Sequence, residues 1–158
     1  SAAVENLYSE FHPGKKLGHA KRCLLKLAGK RLCLVVLDRQ SGESVGFSLF
    51  YFNRRDVEEA TVHEGFTGIL PKYQGRGIGS AQRRHALEHF ARRPSIKGVS
   101  SRVSLNNLPS LRGNLNLGFR EKERYFDADM GEERVYLICD LARYREASAK
   151  SGEPSAVA

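Results

Sequence analysis

What the sequence lacks already excludes several classes of protein. Among its 158 residues there is no tryptophan, and the longest run of apolar residues, Leu32–Leu37, is six residues long. A membrane-spanning helix needs about 20 such residues, and residues 1–30 contain no apolar segment of the kind found in signal peptides. We therefore expect no membrane span and no secretion signal.

Cysteine is also scarce. Cys23, Cys33 and Cys139 are widely spaced, and no two cysteines form a C-x-x-C pair. An odd number at such spacing argues against a disulfide framework or a zinc ribbon, and we expect no metal site. Cys33 and Cys139 lie in apolar runs, where buried thiols are the ordinary expectation, so the cysteine usage fits a reducing cytoplasm.

Positive charge, in contrast, is abundant. The chain has 26 basic and 18 acidic residues, which gives a formal net charge of +8. Residues 75–100 alone contain six basic residues and one acidic residue. Such a region attracts anions, which include nucleic acid, a cofactor rich in phosphate and an anionic lipid surface. A basic face that is merely solvated is the alternative.

The hydrophobic patterning predicts an α+β fold. Residues 1–30 form a short amino-terminal segment without a clear element, and residues 148–158 are small and polar, which predicts a flexible tail. Between them we expect one domain, residues 31–147, with a largely antiparallel central sheet and helices on both of its faces. The predicted strands are 31–38, 44–53, 60–70, 97–104, 119–126 and 134–140, and the predicted helices are 78–93 and 108–117.

The most informative segment joins a predicted strand to a predicted helix and reads ILPKYQGRGIGS from Ile69 to Ser80. Its glycines, at nearly alternate positions, remove side chains from the turn, so several backbone N–H groups can converge at the positive end of a helix dipole. A diphosphate group would fit such a concavity. The segment lacks the lysine of a Walker A loop and the G-x-G-x-x-G spacing of a dinucleotide fingerprint, and reads Q-x-x-G-x-G instead. A purely structural turn is the alternative.

This segment resembles the acyl-CoA-binding motif of the GNAT acyltransferase superfamily, whose pattern is Q/R-x-x-G-x-G/A. A second motif agrees, because Asn107, Ser110, Gly118 and Phe119 match the downstream N-x-x-A/S…G-F pattern of that family at the expected distance. The predicted order of elements agrees as well. The resemblance covers residues 31–142 and implies the GNAT fold, in which two central strands splay apart, with an amino-terminal part that is shortened here.

The resemblance also implies a cofactor and a reaction. Acetyl-CoA, or another acyl-CoA, would be the donor, and an amine would attack its thioester directly, without a metal. In the family, the position of Asn114 often carries a tyrosine that protonates the leaving thiolate, which asparagine cannot do. Tyr125 or Tyr144 could replace it, or the thiolate, whose thiol has an ordinary pKa of about 8.5, could leave without a strong acid. The residues that would bind the cofactor are Ile69, Leu70, Gln74, Gly75, Arg76, Gly77, Ile78, Gly79, Ser80, Asn107 and Asn114.

A protonated amine must lose a proton before it attacks, so the reaction needs a base. Family members often have an acidic residue on the strand before the glycine-rich turn, at the position of His63 here. Period-2 alternation places His63 with Thr67 and Ile69 on one face of that strand, unless a bulge near Gly65 shifts the register. An imidazole can act as a base near neutral pH, and Glu64 is the fallback. A histidine without a chemical role is the alternative.

Three functions are compatible with these observations. The first is an acyl-CoA-dependent N-acyltransferase, whose acceptor amine could belong to a small molecule, a protein or an aminoacyl-tRNA, the last mildly favoured by the net charge. The second is a CoA-binding regulatory domain without activity, which Asn114 and the short amino end favour. The third, a basic nucleic-acid-binding module, has no supporting motif.

The acceptor side is the least defined part of this interpretation. The family usually places a strand and two helices before residue 31, and those helices form one wall of the acceptor site. The site could therefore be open here, or be completed by the second subunit of a homodimer or by an additional domain of a longer chain.

Overall fold

The computed structural model describes residues 32–151, so the predicted amino-terminal segment 1–30 and Cys23 lie outside the described residues. Six strands form one sheet: β1 (Cys33–Leu37), β2 (Ser44–Tyr51), β3 (Thr61–Ile69), β4 (Gly98–Ser104), β5 (Arg120–Asp127) and β6 (Glu132–Asp140). The helices of the described residues are α1 (Arg54–Glu59), α2 (Ile78–Ala91), α3 (Leu108–Asn116) and α4 (Ala142–Ser151), with a short 3₁₀ turn at Pro71–Tyr73.

The sheet has the strand order β1-β2-β3-β4-β6-β5. Every neighbouring pair is antiparallel except β3 and β4, which are parallel. The predicted α+β class with a largely antiparallel sheet is therefore confirmed.

The parallel pair of strands opens the sheet at its centre. β3 and β4 pair from Thr61–Gly98 to Glu64–Ser101, and then the pairing stops, although β3 continues to Ile69 and β4 to Ser104. The two strands therefore diverge and leave a V-shaped opening between residues 65–69 and 102–104.

A bulge at Gly65 shifts the register of β3 beside this opening. The consecutive residues Leu49–Phe50 of β2 pair with Phe66 and Glu64, so Gly65 has no partner in β2. A Cβ atom at Gly65 would collide with the ring of Tyr51. The close approach of that ring explains why the bulge needs glycine at this position.

The bulge decides which side chains of β3 share a face. Because it adds one residue to the period-2 alternation, Glu64 shares a face with Thr67 and Ile69, and His63 lies on the opposite face. The unbulged alternation, which groups His63 with Thr67 and Ile69, is therefore wrong for this strand.

The apolar core lies on the face of the sheet that α2 covers. Phe50 and Val62 of the sheet pack with Leu87 and Phe90 of α2, and all four side chains are buried. Helix α4 packs beside α2. Helix α1 contacts the opposite face through Asp56, which hydrogen-bonds residues of β3 and β4 there. Helices thus lie on both faces of the sheet, as predicted.

Capping residues define the ends of α3. The Asn107 side chain accepts a hydrogen bond from the amide of Ser110 at the start of the helix, and Gly118, with φ +94°, follows its end. Asparagine is a preferred residue at the start of a helix, and glycine is the usual left-handed residue after its end. Helix α2 ends at Ala91, two residues before the predicted end, and Pro94 follows.

The sequence patterns do not predict α1 and α4. Helix α1 has six residues, too few to show a helical period, and a capping box between Asn53 and Asp56 stabilises it. Helix α4 continues to Ser151, four residues into the segment predicted to be a tail, and residues 152–158 lie outside the described residues. Among residues 32–151, no helix is long and apolar enough to cross a membrane.

The two described cysteines differ in their environment. Cys139 is fully buried, and this burial raises its pKa to about 11. Cys33 is only partly buried, at the edge of the sheet in β1. The expectation of a buried thiol is therefore confirmed for Cys139 alone.

Candidate functional site

A cleft of about 460 Å³ lies where three elements meet: the amino end of α2, the amino end of α3 and the part of β3 that diverges from β4. Its volume is within the usual range of ligand sites. Most of its lining is small or uncharged, and one side chain is cationic. The lining residues are Thr67, Gly68, Ile69, Tyr73, Gln74, Gly75, Gly77, Ile78, Gly79, Ser80, Arg83, Asn107, Pro109, Ser110 and Gly113.

Gly75 and Gly77 give the glycine-rich turn its shape. Their φ angles are +74° and +76°, in the left-handed region that glycine adopts without a steric penalty. Within the described part of the chain, the amides of residues 75–77 donate no hydrogen bond to another backbone group. Residues 78–80 form the first turn of α2, where N–H groups have no acceptor inside the helix. Six successive amides are therefore available at the positive end of a 14-residue helix.

The cleft occupies the space that side chains would fill at these glycines. A Cβ atom on Gly75 or Gly77 would meet no described atom within 4 Å, and one on Gly79 would meet only the Cγ1 atom of Ile69, at 3.8 Å. All three glycines line the cleft. The turn therefore fits a ligand with several acidic oxygens, such as a diphosphate, that approaches the backbone closely.

Hydrogen bonds hold the turn in place. Gln74 Nε2 donates to the carbonyl oxygen of Ile69 at 2.9 Å. Lys72 Nζ and Tyr73 OH donate to the Glu43 carboxylate at 2.9 and 3.0 Å, and these bonds lower the pKa of Glu43. The 3₁₀ turn is thereby tied to the β1–β2 hairpin, so the amides need little reorganisation to bind an anion.

Arg83 is the cationic residue of the lining. Its Nε atom lies 3.3 and 3.2 Å from the two carboxylate oxygens of Glu64, and its Nη2 atom donates to Ser110 Oγ at 3.2 Å. Ser101 Oγ donates to the same carboxylate at 3.2 Å. Because Glu64 and Ser101 form the last pair between β3 and β4, this cluster fills the vertex of the V-shaped opening. Both oxygens of Glu64 are engaged by it.

Replacing Arg83 by methionine is expected to lower the free energy of unfolding by about 3 kcal/mol, because the change leaves the carboxylate of Glu64 buried without its cation. The double variant with Glu64→Gln should recover part of that loss. Denaturant unfolding of the wild type, both single variants and the double variant gives the coupling energy. Additive losses would show that the pair is not coupled.

His63 belongs to a separate buried cluster on the opposite face of the sheet. It is 3% exposed, and its Nδ1 atom lies 2.7 Å from Ser100 Oγ, which in turn donates to Asp56 Oδ1 at 2.7 Å. Burial lowers the pKa of His63 from 6.5 to about 4; Asp56 opposes this shift, and Arg102 and Arg134 add to it. The imidazole is therefore neutral at pH 7.

The lowered pKa of His63 predicts a loss of stability in acid. The unfolded chain takes up the proton near pH 6.5, and the folded chain takes it up only near pH 4. Between these values the unfolded state binds more protons, so the contribution of His63 to the free energy of unfolding should fall by about 3 kcal/mol as the pH drops from 7 to 4. Denaturant unfolding at several pH values measures this loss. Between pH 7 and 4, the free energy of unfolding of the His63→Asn variant should fall by about 3 kcal/mol less than that of the wild type. If the free energies of unfolding of the two proteins changed with pH in parallel, the prediction would be contradicted.

The cleft brings most of the predicted cofactor residues together, and three lie outside its lining. Leu70 is buried behind the turn. The guanidinium of Arg76 lies 5.5 Å from the ring centre of Tyr73. Asn114 is fully buried, and its Nδ2 atom donates to the carbonyl oxygen of Ser110 at 2.9 Å. The predicted residues that line the cleft are Ile69, Gln74, Gly75, Gly77, Ile78, Gly79, Ser80 and Asn107.

The two alternative tyrosines lie away from the cleft. Tyr144 OH donates to the carbonyl oxygen of Leu117 at 2.7 Å. The hydroxyl of Tyr125 is buried and has no partner among the described residues. Neither tyrosine belongs to the lining described above.

Sequence reasoning missed several lining residues, although periodicity could have found some of them. Thr67 alternates with Ile69 along β3, and Arg83 lies one helical turn after Gly79. Ser110 follows Asn107 by three residues, on the same side of α3. The missed lining residues are Thr67, Gly68, Tyr73, Arg83, Pro109, Ser110 and Gly113.

Comparison with known proteins points to one family. The sequence model of the acetyltransferase (GNAT) family matches residues 2–119. This match begins well before residue 31, where the resemblance seen in the motifs begins, so it includes most of the amino-terminal segment. Among curated protein sequences, none matches this chain.

Solved structures with similar folds are numerous. The NatC complex bound to Gag peptide and CoA contains a chain with TM-score 0.71 and 17% identity, over 89% of this chain and 90% of that one. A spermidine N-acetyltransferase SpeG chimera from Vibrio cholerae and hSSAT has TM-score 0.70 and 16% identity, over 90% and 91%. The ribosomal-protein-S18-alanine N-acetyltransferase from Escherichia coli has TM-score 0.66 and 17% identity, over 89% and 86%. At such identities, these similarities establish the fold.

Proposed function

The chain belongs to the GNAT acetyltransferase family, and from that premise we propose that it is an N-acetyltransferase that transfers the acetyl group of acetyl-CoA, or another acyl group from its CoA ester, to an amine. When bound, acetyl-CoA supplies the thioester whose acyl group is transferred. The observation that carries the proposal is the cleft at the amino end of α2, where six free amides meet space that is clear of side chains.

The cleft is suited to the two parts of CoA in different ways. The amides of residues 75–80 would hold the diphosphate, since unsatisfied N–H groups at a helix amino end bind phosphate oxygens. The diverging part of β3, from Thr67 to Ile69, would lie along the pantetheine arm, and Asn107 and Ser110 of α3 would form the far wall. At the inner end of the cleft, Glu64 would hold Arg83 in place through their ion pair, rather than act as the base.

The acceptor amine would approach from the other face of the sheet. His63 lies in the second-last pair of β3 and β4, one pair before the V-shaped opening begins, and the amine would reach it by way of that opening. The imidazole of His63 is neutral at pH 7 but, with a pKa of about 4, is a weak base, so it would accept the proton of the amine as the nitrogen bonds the acyl carbon and becomes acidic. We therefore assign the base to His63, which agrees with its position in the family pattern.

The acceptor itself is proposed only as a class. Two of the neighbouring folds are named for acetylation of a ribosomal-protein alanine and of spermidine. A panel of amines should therefore contain peptides with a free amino terminus, polyamines and aminoacyl-tRNA. The mass of the protein in solution shows whether it forms a dimer, which is the condition for a second subunit to complete the acceptor site.

Thermal unfolding tests the cofactor part of this proposal. Acetyl-CoA at about 100 times its dissociation constant should add about 2.7 kcal/mol of stability, which corresponds to a rise of roughly 5–10 °C in Tm for a domain of this size. ATP at the same concentration is the control for general attraction of anions to the basic surface. An equal shift with ATP, or no shift with acetyl-CoA, would contradict the proposal.

Release of free CoA thiol tests the reaction. With a suitable amine, thiol should appear in step with acetylated product.

A CoA-binding regulatory domain is the second candidate, because Asn114 is buried and away from the cleft at the position where many family members have their acid. A rise in Tm with CoA and no thiol release with any amine would favour that candidate.

A further inference from the structure

The buried cluster around His63 is built from three elements of the fold. Asp56 of α1 accepts hydrogen bonds at Oδ1 from Thr61 of β3 and from Ser100 of β4, both at 2.7 Å. Its other oxygen, Oδ2, accepts from the amide of Asn53 at 3.2 Å, as part of the capping box of α1. Two hydroxyl groups from the sheet and one backbone amide therefore hold this carboxylate in place.

The direction of these bonds determines the tautomer of His63. The hydroxyl of Ser100 has one hydrogen, which it donates to Asp56 Oδ1. The 2.7 Å contact between Ser100 Oγ and His63 Nδ1 must then use the hydrogen on Nδ1, with the serine oxygen as acceptor. The neutral imidazole therefore carries its proton on Nδ1, and the lone pair is on Nε2. In water, neutral histidine favours the opposite arrangement, so the cluster selects the less common form.

Other groups around His63 act on its charge. Asp56 favours the protonated ring, and the two arginines oppose it. The Tyr51 ring lies edge-on to the imidazole, with 5.2 Å between the ring centres. The titratable and charged groups that face this cluster are Tyr51 of β2, Asp56 of α1, Arg102 of β4, and Arg134 and Tyr136 of β6.

We propose that Ser100 and Asp56 are positioning residues for the acyl transfer, which hold His63 in the Nδ1–H tautomer so that Nε2 can take the proton of the acceptor amine. This inference rests on the proposed function for its chemistry. In the transfer, an N–H bond of the amine breaks and its proton goes to Nε2. The amine nitrogen forms a bond to the acyl carbon, and the C–S bond breaks with its electron pair on sulfur.

Two matched variants separate this role from a structural one. Ser100→Ala and Thr61→Val each remove one 2.7 Å hydrogen bond to Asp56 Oδ1, and both positions are buried. Ser100 contacts His63, whereas the Thr61 hydroxyl, among the described residues, bonds only Asp56. The two variants therefore differ in the contact with His63, and only a loss of kcat in Ser100→Ala beyond that in Thr61→Val is assigned to that contact.

The tautomer is measured directly by ¹⁵N NMR of the imidazole nitrogens in the full chain at pH 7. The chain has five histidines, and the signals missing from the His63→Asn variant identify those of His63. We expect Nδ1–H in the wild type and in Thr61→Val, and a shift towards Nε2–H in Ser100→Ala. Nε2–H in the wild type, or no change in Ser100→Ala, would overturn the inference.

Steady-state kinetics supply the second measurement. In Ser100→Ala, kcat should fall roughly 10- to 100-fold, with the KM for acetyl-CoA unchanged, and in Thr61→Val it should stay within about twofold of the wild type. Equal losses in both variants would overturn the positioning role. If no amine is acetylated at all, the proposed function fails, and the NMR result still decides whether Ser100 sets the tautomer.

Discussion

Replacing Gly77 by leucine is expected to weaken the binding of CoA and acetyl-CoA about 100-fold or more. The φ angle of Gly77 is +76°, the residue lines the cleft, and a Cβ atom on it would meet no described atom within 4 Å. A leucine side chain would occupy the space where phosphate oxygens approach the amides. Each lost hydrogen bond to a charged group costs about 1.5–3 kcal/mol, so two such losses give at least this change in affinity. Isothermal titration of CoA into the variant measures it.

The control for this variant is Gly131→Leu. Gly131 lies in the β5–β6 hairpin with φ +68°, and its Cβ position is also open. Both substitutions force a leucine into the left-handed region at a cost of about 1–2 kcal/mol, so their effects on Tm should be similar. CoA affinity should fall in Gly77→Leu and stay at the wild-type value in Gly131→Leu. Intact affinity in Gly77→Leu would show that the turn does not hold the diphosphate.

The parts of this site that could be predicted are those that depend on local chemistry. The left-handed conformations of Gly75 and Gly77 favour glycine, so the turn is visible in the sequence itself. The caps of α3 at Asn107 and Gly118 are local in the same sense, because each depends on residues within one helical turn. Because the cleft lies between this turn and the amino end of α3, these local features are enough to locate it along the chain.

The parts that could not be predicted depend on contacts between distant residues. Arg83 and Glu64 are 19 residues apart in the sequence, and nothing local marks them as a pair. The bulge at Gly65 brings that residue against the Tyr51 ring, which is distant in sequence, and it places His63 on the side of β3 opposite Thr67 and Ile69. Simple alternation therefore placed the histidine on the wrong face, although a bulge near this glycine was itself foreseeable.

The position of Asn114 also depends on the tertiary structure. In sequence it lies seven residues after Asn107, where the resemblance to the family suggests a group near the leaving sulfur. In the structure, Asn114 turns inward, its Oδ1 atom is buried without a partner among the described residues, and the cleft wall is formed by Ser110 and Gly113 instead. Departure of a thiolate requires less acid assistance than departure of an alkoxide, since an ordinary thiol has a pKa of about 8.5. The proposed reaction therefore assigns no acid to Asn114.

Removal of the imidazole separates cofactor binding from chemistry. His63→Ala is expected to lower kcat about 100-fold, which is within the usual contribution of a general base. The KM for acetyl-CoA should be nearly unchanged, because His63 lies on the opposite face of the sheet from the cleft and is absent from its lining. Steady-state kinetics at saturating amine, together with CoA titration, measure the two effects separately.

One further variant and one added base distinguish a missing base from a damaged fold. His63→Asn keeps a polar group beside Ser100 but has no base, so it should lose as much kcat as His63→Ala while it remains more stable. Added imidazole should restore part of the turnover of His63→Ala in proportion to its concentration, because a small base can enter the space that the side chain leaves. The histidine would have no part in proton transfer if His63→Asn turned over at the wild-type rate. In that case the amine would have to lose its proton to solvent through the V-shaped opening before it attacks.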